Sequence, residues 1–139
     1  MTKTRVVLSI VLLTALFVAP SIAHHNVSAV FDTSKTIPLK GTITKVEWRN
    51  PHASIYIDVR DASGKIINWW VELPSIATLA KAGLDQNMID LTLTQSYSLE
   101  VHQAKDGAPH GVGITLVFPD SKSYDVSEKP ATPAATPAK

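Results

Sequence analysis

An all-β domain with one short helix is the fold class the sequence predicts, in the form of a small five-stranded Greek-key barrel of the OB type. Three observations predict it. Ala53, Ile55, Ile57 and Val59 alternate strictly with Ser54, Tyr56, Asp58 and Arg60, the period of a half-buried strand. Asp61-Ala62-Ser63-Gly64 and Lys105-Asp106-Gly107-Ala108-Pro109 are turn sequences flanked by further apolar runs. Ile76, Leu79 and Ala80 form the one short stretch at helical spacing, and it falls between the third and fourth strands. Three strands, a helix and two strands is the order of an OB barrel. An open β-sandwich with an appended helix is the alternative.

The elements follow in chain order. Lys3 and Arg5 precede an apolar run at 6–18, broken only by Ser9 and Thr14, and Pro20-Ser21-Ile22-Ala23 supplies small residues for a cut after Ala23. Residues 1–23 therefore read as a cleavable secretory signal. The apolar run is short of the roughly 20 residues of a spanning helix, which makes a retained anchor the weaker reading. Residues 37–48 form the first strand. Leu39 and Ile43 share one face and Val46 and Trp48 the other, and this switch of phase implies a bulge, expected at Gly41. The second strand covers 53–60. The third, 65–73, sets Ile67, Trp69, Val71 and Leu73 against Ile66, Asn68, Trp70 and Glu72. Pro74 stops it, the helix covers 75–82, and Gly83 stands where helices end. Residues 85–90 add a turn, and strands at 97–105 and 110–118 complete the barrel. From Ser127 the chain reads SEKPATPAATPAK, with no large apolar side chain, and 127–139 is expected to be a disordered tail. The folded domain is thus expected at 24–126, with one core and no internal repeat.

Charge and composition narrow the function. The full chain carries a net charge of +1, but loss of Lys3 and Arg5 with the signal leaves eleven basic and twelve acidic residues, a net −1. No basic surplus remains to bind a phosphate backbone, so nucleic acid is not an expected partner. The chain has no cysteine, hence neither disulfides nor thiolate chemistry. Gly111-Val112-Gly113 is no phosphate loop, no nucleophile motif joins Ser, His and Asp, and no carboxylates pair at a catalytic spacing. The protein is read as a non-enzymatic binding domain.

Two sets of residues can bind. The first is the five histidines, His24, His25, His52, His102 and His110. Cleavage after Ala23 makes His24 the first residue, whose free amine and imidazole form a chelating pair. His25 adds a second imidazole, and such nitrogen donors suit Cu(II), Ni(II) or Zn(II), with copper preferred. His52 lies in the link between the first two strands, and His102 and His110 flank the link between the last two. In an OB barrel those links frame the binding face, so the three are expected to meet at one rim. The plainer readings are a solvated His102, a turn-capping His110, a loop-fixing His52 and a frayed terminus. The second set is Tyr56 and Trp70, on the outer face of the second and third strands near Asn68 and Glu72. Exposed aromatics there would stack a flat ligand. The plainer reading is that the helix, the N-terminal segment or a second protomer covers them.

The combination of Ala23-His24-His25, Phe31-Asp32, Leu39-Lys40-Gly41-Thr42, Val46-Glu47-Trp48-Arg49-Asn50-Pro51-His52, Asn68-Trp69, Val71-Glu72 and Ala104-Lys105-Asp106-Gly107 resembles a family of small secreted proteobacterial proteins classed as a domain of unknown function. The chain departs from the pattern at Asn26-Val27-Ser28 and at Asp90-Leu91-Thr92. The resemblance implies no activity. It emphasises His24, His25, Asn50, Pro51, His52, Trp69 and Glu72, and a terminal His pair with a turn His implies a metal site.

The expectation is then a periplasmic or secreted binding domain, free of any membrane span once the signal is removed. It would hold copper through His24 and His25 with help from His52. The alternative is a metal-free module that takes a small ligand or a periplasmic protein on the Tyr56 and Trp70 face. An oxidative copper enzyme built on His24 ranks third.

Overall fold

Alternation of apolar and polar side chains turns residues 37–117 into a closed β-barrel. The computed structural model describes residues 26–128. The expected signal at 1–23, His24 and His25, and the tail from 129 onward lie outside the described residues. Its elements are a single-turn helix α1 (Val27–Val30), strands β1 (Ile37–Glu47), β2 (Ser54–Arg60) and β3 (Ile66–Glu72), helix α2 (Ile76–Lys81), a 3-10 turn (Gln86–Met88), and strands β4 (Tyr97–Gln103), β5 (His110–Val117) and β6 (Ser123–Asp125).

The sheet runs β3-β2-β1-β4-β5-β6 and closes on itself through a β3–β5 pairing. All neighbours are antiparallel except β3 and β5, which match Trp70 with His110, Val71 with Gly111 and Glu72 with Val112 in parallel. This is the expected five-stranded barrel with its helix between the third and fourth strands, and not the sandwich. A sixth, short strand was not anticipated. It pairs with the far half of β5, Thr115 with Asp125 to Val117 with Ser123, on the edge that β3 leaves free. Phe118 and Tyr124 meet edge to face at 5.0 Å and hold it there.

The bulge in β1 falls at Thr44 rather than at Gly41. Ile43 is opposite Ile57 and Lys45 is opposite Tyr56, so Thr44 is the extra residue. Before it Leu39 and Ile43 point inward; after it Val46 and Trp48 do. The phase switch was read correctly, but the glycine has another use. A Cβ on Gly41 would stand 1.9 Å from the Asp58 carbonyl oxygen, so close approach of β1 and β2 requires its absence.

Ile43, Ile55, Ile57, Val71, Leu99, Val101 and Leu116 are fully buried within the barrel. Each such side chain contributes about 1.5–3 kcal/mol on leaving water. Ser75 caps α2 by accepting from the Thr78 amide at 3.3 Å, and Gly83 ends it with a φ of 83°. The connection from β3 to β4 thereby inserts Leu79, Leu84 and Ile89 into the same core. The Tyr97 hydroxyl, buried beside them, accepts from the Asp90 amide at 2.8 Å.

Candidate functional site

The N-terminal segment pairs with the end of β4 and builds one wall of a cleft. Phe31 forms a bridge with Ala104, the Asp32 amide donates to the Gln103 carbonyl and the Lys105 amide to the Val30 carbonyl. Lys105 Nζ also donates to the Ser28 carbonyl at 2.7 Å. Phe31, only 4% exposed, packs with Ala104, Val112 and Val27 into a small apolar cluster outside the barrel. Just beyond, Ser34 hydrogen bonds and then the Lys35 ammonium hold the Asp32 carboxyl below its usual range. Period-2 geometry explains the arrangement. Ala104 and Val112 face outward from their strands and present an apolar patch, which the segment covers.

The opposite wall is the β1–β2 loop. Asn50 Oδ1 accepts from the Ile76 amide at 3.3 Å, tying the loop to the start of α2, and the Asn50–Pro51 bond is cis. Arg49 donates to Glu47, whose carboxyl is held below its usual range by Lys45 first and by the charge of Arg49 as well. Between the walls lies a cleft of about 320 Å³ lined by Asn26, Val27, Val30, Phe31, Arg49, Asn50, Pro51, His52, Ser54, Trp70, Glu72, Val112 and Glu128.

The floor of the cleft holds a compact constellation. Trp70 and His110 are partners in the parallel β3–β5 pairing, and their rings stack at 4.1 Å with only 4° between planes. Phe31 meets the His110 ring edge-on at 4.9 Å. Glu72, two residues beyond Trp70 on the same face, receives His110 Nε2 at 2.8 Å. A carboxylate only accepts, so Nε2 carries the proton and the imidazole is fixed in one orientation. Trp70 remains 39% exposed.

The expected site residues therefore divide. Trp70, Glu72 and His52 share the cleft, and His110 backs its floor. Tyr56 and Asn68 lie on the same sheet face but do not line it. Tyr56 receives Lys45 Nζ 4.7 Å from its ring centroid, and Asn68 donates to Asp58 at 2.6 Å. His102 does not join His52 and His110 at one rim. His102 and His110 share the outer face of β4 and β5, but the N-terminal segment meets each separately. His102 Nδ1 lies 2.8 Å from the Lys35 carbonyl oxygen, whereas His110 takes Phe31 and Glu72. Among the described residues no three His, Cys, Asp or Glu side chains come together as a metal-holding group. His52 pairs with Glu128, its Nδ1 4.0 Å from Oε2, and His110 pairs separately with Glu72.

Phe31 and Glu128 are among the cleft residues that the sequence reading did not single out. Phe31 carried a signal, since Phe31-Asp32 belongs to the family pattern. Glu128 carried none, standing in what reads as the start of a Pro- and Ala-rich tail.

The fold and site define a small OB-type β-barrel with a cleft on the face of β2 and β3, where such barrels bind. The chain belongs to a family of unknown function (DUF6152), whose pattern it matches over residues 12–114. No curated protein and no solved structure matches it. No helix among the described residues is long and apolar enough to cross a membrane.

Proposed function

We propose that the protein is an exported, non-enzymatic binding domain that holds copper at the mouth of this cleft. The ligands are His24 and His25 of the processed N-terminus, with His52 from the β1–β2 loop. One observation carries the reading. Asn26 and His52 line the same cleft, and His25 is joined to Asn26 by a single peptide bond. Consecutive Cα atoms are about 3.8 Å apart, so His25 and His24 are one and two such steps from a residue that lines this cleft. The free amine and imidazole of His24, a second imidazole and the His52 ring make the nitrogen-rich set that Cu(II) prefers. Export to the periplasm or beyond follows from the signal pattern at 1–23, whose removal creates the chelating amine.

The test is a Cu(II) titration, followed by electron paramagnetic resonance, of protein with its native processed terminus. The control carries one extra residue before His24. A single tight, nitrogen-rich site that the extra residue destroys is the expected result. Weak, multiple signals indifferent to the extension would sink the reading.

A second reading is favoured by the exposure of Trp70, whose indole opens on the cleft beside apolar Val27, Val30 and Phe31. Under it the cleft takes a flat small ligand or a partner's side chain without metal. Trp70→Ala would then abolish ligand binding and leave copper binding intact.

A further inference from the structure

We infer that the cleft takes a small organic cation of the guanidinium class, its plane laid on the open face of Trp70 and its N–H groups turned to Glu72 and Glu128. The inference rests on the metal-free reading of the cleft and names the class of its ligand. Its basis is the indole itself. The His110 ring lies parallel to it at 4.1 Å and covers one face, which leaves the other face and the rim to account for its 39% exposure. Glu72 bonds to His110 and so helps to hold the two rings in place. An indole fixed in this way is a stacking platform ordered before any ligand arrives, and a cation is the partner that its negative face attracts most.

Charge in the cleft has the sign that suits such a ligand. Glu72 and Glu128 both line it, with side chains 24% and 36% exposed. Glu72 accepts from His110 through Oε1, and a carboxylate has lone pairs enough for further donors on its two oxygens. Arg49 lines the cleft too, but its guanidinium pairs with Glu47 at 2.9 Å. Val126 brings Glu128 to this place, being fully buried with its amide bonded to the Ile114 carbonyl at 2.9 Å. A planar cation serves both kinds of wall, since its face stacks on an aromatic ring while its N–H rim meets carboxylates. A quaternary ammonium has no N–H to offer, and a neutral ring leaves the carboxylate charge unanswered. Val30, 46% exposed beside Trp70, gives an alkyl substituent an apolar surface. The volume of about 320 Å³ is at the lower end of the roughly 300–1,000 Å³ of ligand clefts and fits a small molecule.

The experiment titrates processed protein with 1-butylguanidinium chloride and, separately, with butylurea, which is equally flat but uncharged. Calorimetry gives the affinity, and the Trp70 indole N–H signal in nuclear magnetic resonance reports where the compound sits. Wild type is compared with Glu72→Gln, Glu128→Gln, Trp70→Leu and, as a control on exposed β4, Glu100→Gln. Glu72→Gln removes the charge yet keeps an oxygen that accepts from His110 Nε2. The expected result is that butylguanidinium moves the Trp70 signal and binds about tenfold or more tighter than butylurea. Its affinity should fall about threefold or more in Glu72→Gln and Glu128→Gln and about tenfold in Trp70→Leu, and hold in Glu100→Gln. Equal affinity for the two compounds, with the Trp70 signal moved by both, would overturn the cation and leave the metal-free reading standing. Equal affinity for butylguanidinium in wild type and Glu72→Gln would overturn the inference as well. Should circular dichroism show that Glu72→Gln misfolds, the same outcome in Glu128→Gln decides against it. A Trp70 signal that neither compound moves would overturn the inference and the metal-free reading together.

Discussion

At the scale of single residues, a few polar contacts separate what the core holds from what the cleft exposes. Tyr97 is buried and its hydroxyl satisfies the Asp90 amide. Tyr97→Phe leaves that donor without its partner and should lower stability by about 0.5–1.5 kcal/mol, read from the urea midpoint. The cleft trio is different in kind. Glu72 orients His110, and His110 in turn presents a flat ring to Trp70. Glu72→Ala should free the imidazole and alter Trp70 emission, while the fold, judged by circular dichroism, stays intact. The placing of Trp70 and Glu72 on one face was legible in the sequence, because strand side chains alternate and residues 70 and 72 share a parity. The partnership with His110 was not, since it depends on a parallel pairing between strands nearly forty residues apart.

At the scale of elements, backbone proximity sets the limits. β1 and β2 approach so closely at Gly41 that any Cβ would collide with the Asp58 carbonyl. Gly41→Ala should force the strands apart and destabilise the barrel by about 1–3 kcal/mol, measured by thermal unfolding. The β2–β3 turn adds a pH dependence. The Asp61 carboxyl is held below its ordinary pKa, chiefly by the Ser63 hydroxyl and also by backbone amides. A carboxyl lowered in the folded state adds stability that is complete above its ordinary pKa and disappears as pH falls through the folded value. Ser63→Ala should therefore lower the urea midpoint at neutral pH and narrow its gap from wild type under acid conditions. Element types and most boundaries could be read from alternation and turn chemistry. The bulge was placed three residues early, because glycine is the usual marker of a strand irregularity and here it marks a close crossing instead. β6 went unread because three residues, set beside Pro119 and a Pro-rich end, show no measurable period.

At the scale of the whole molecule, the cleft exists because the N-terminal segment docks on the barrel and the C-terminal strand ends beside the same loop. Phe31→Ala should release the segment from Ala104 and Val112, lower stability by about 2–4 kcal/mol, and make Trp70 more accessible to a soluble fluorescence quencher. Such a change would not disturb the barrel core, to which Phe31 does not belong. The sequence by itself determined the class of fold, the order of its strands and helix, and the polar or apolar side of each strand. Those are local properties, written in the period of two, in turn residues and in the single helical stretch. Tertiary structure alone decided that His102 and His110 part company, that Phe31 seals the floor and that Glu128 comes within 4.0 Å of His52. Each of these depends on where segments distant in the chain cross the closed barrel. Local periodicity says which way a side chain faces and nothing about which distant segment will lie against it.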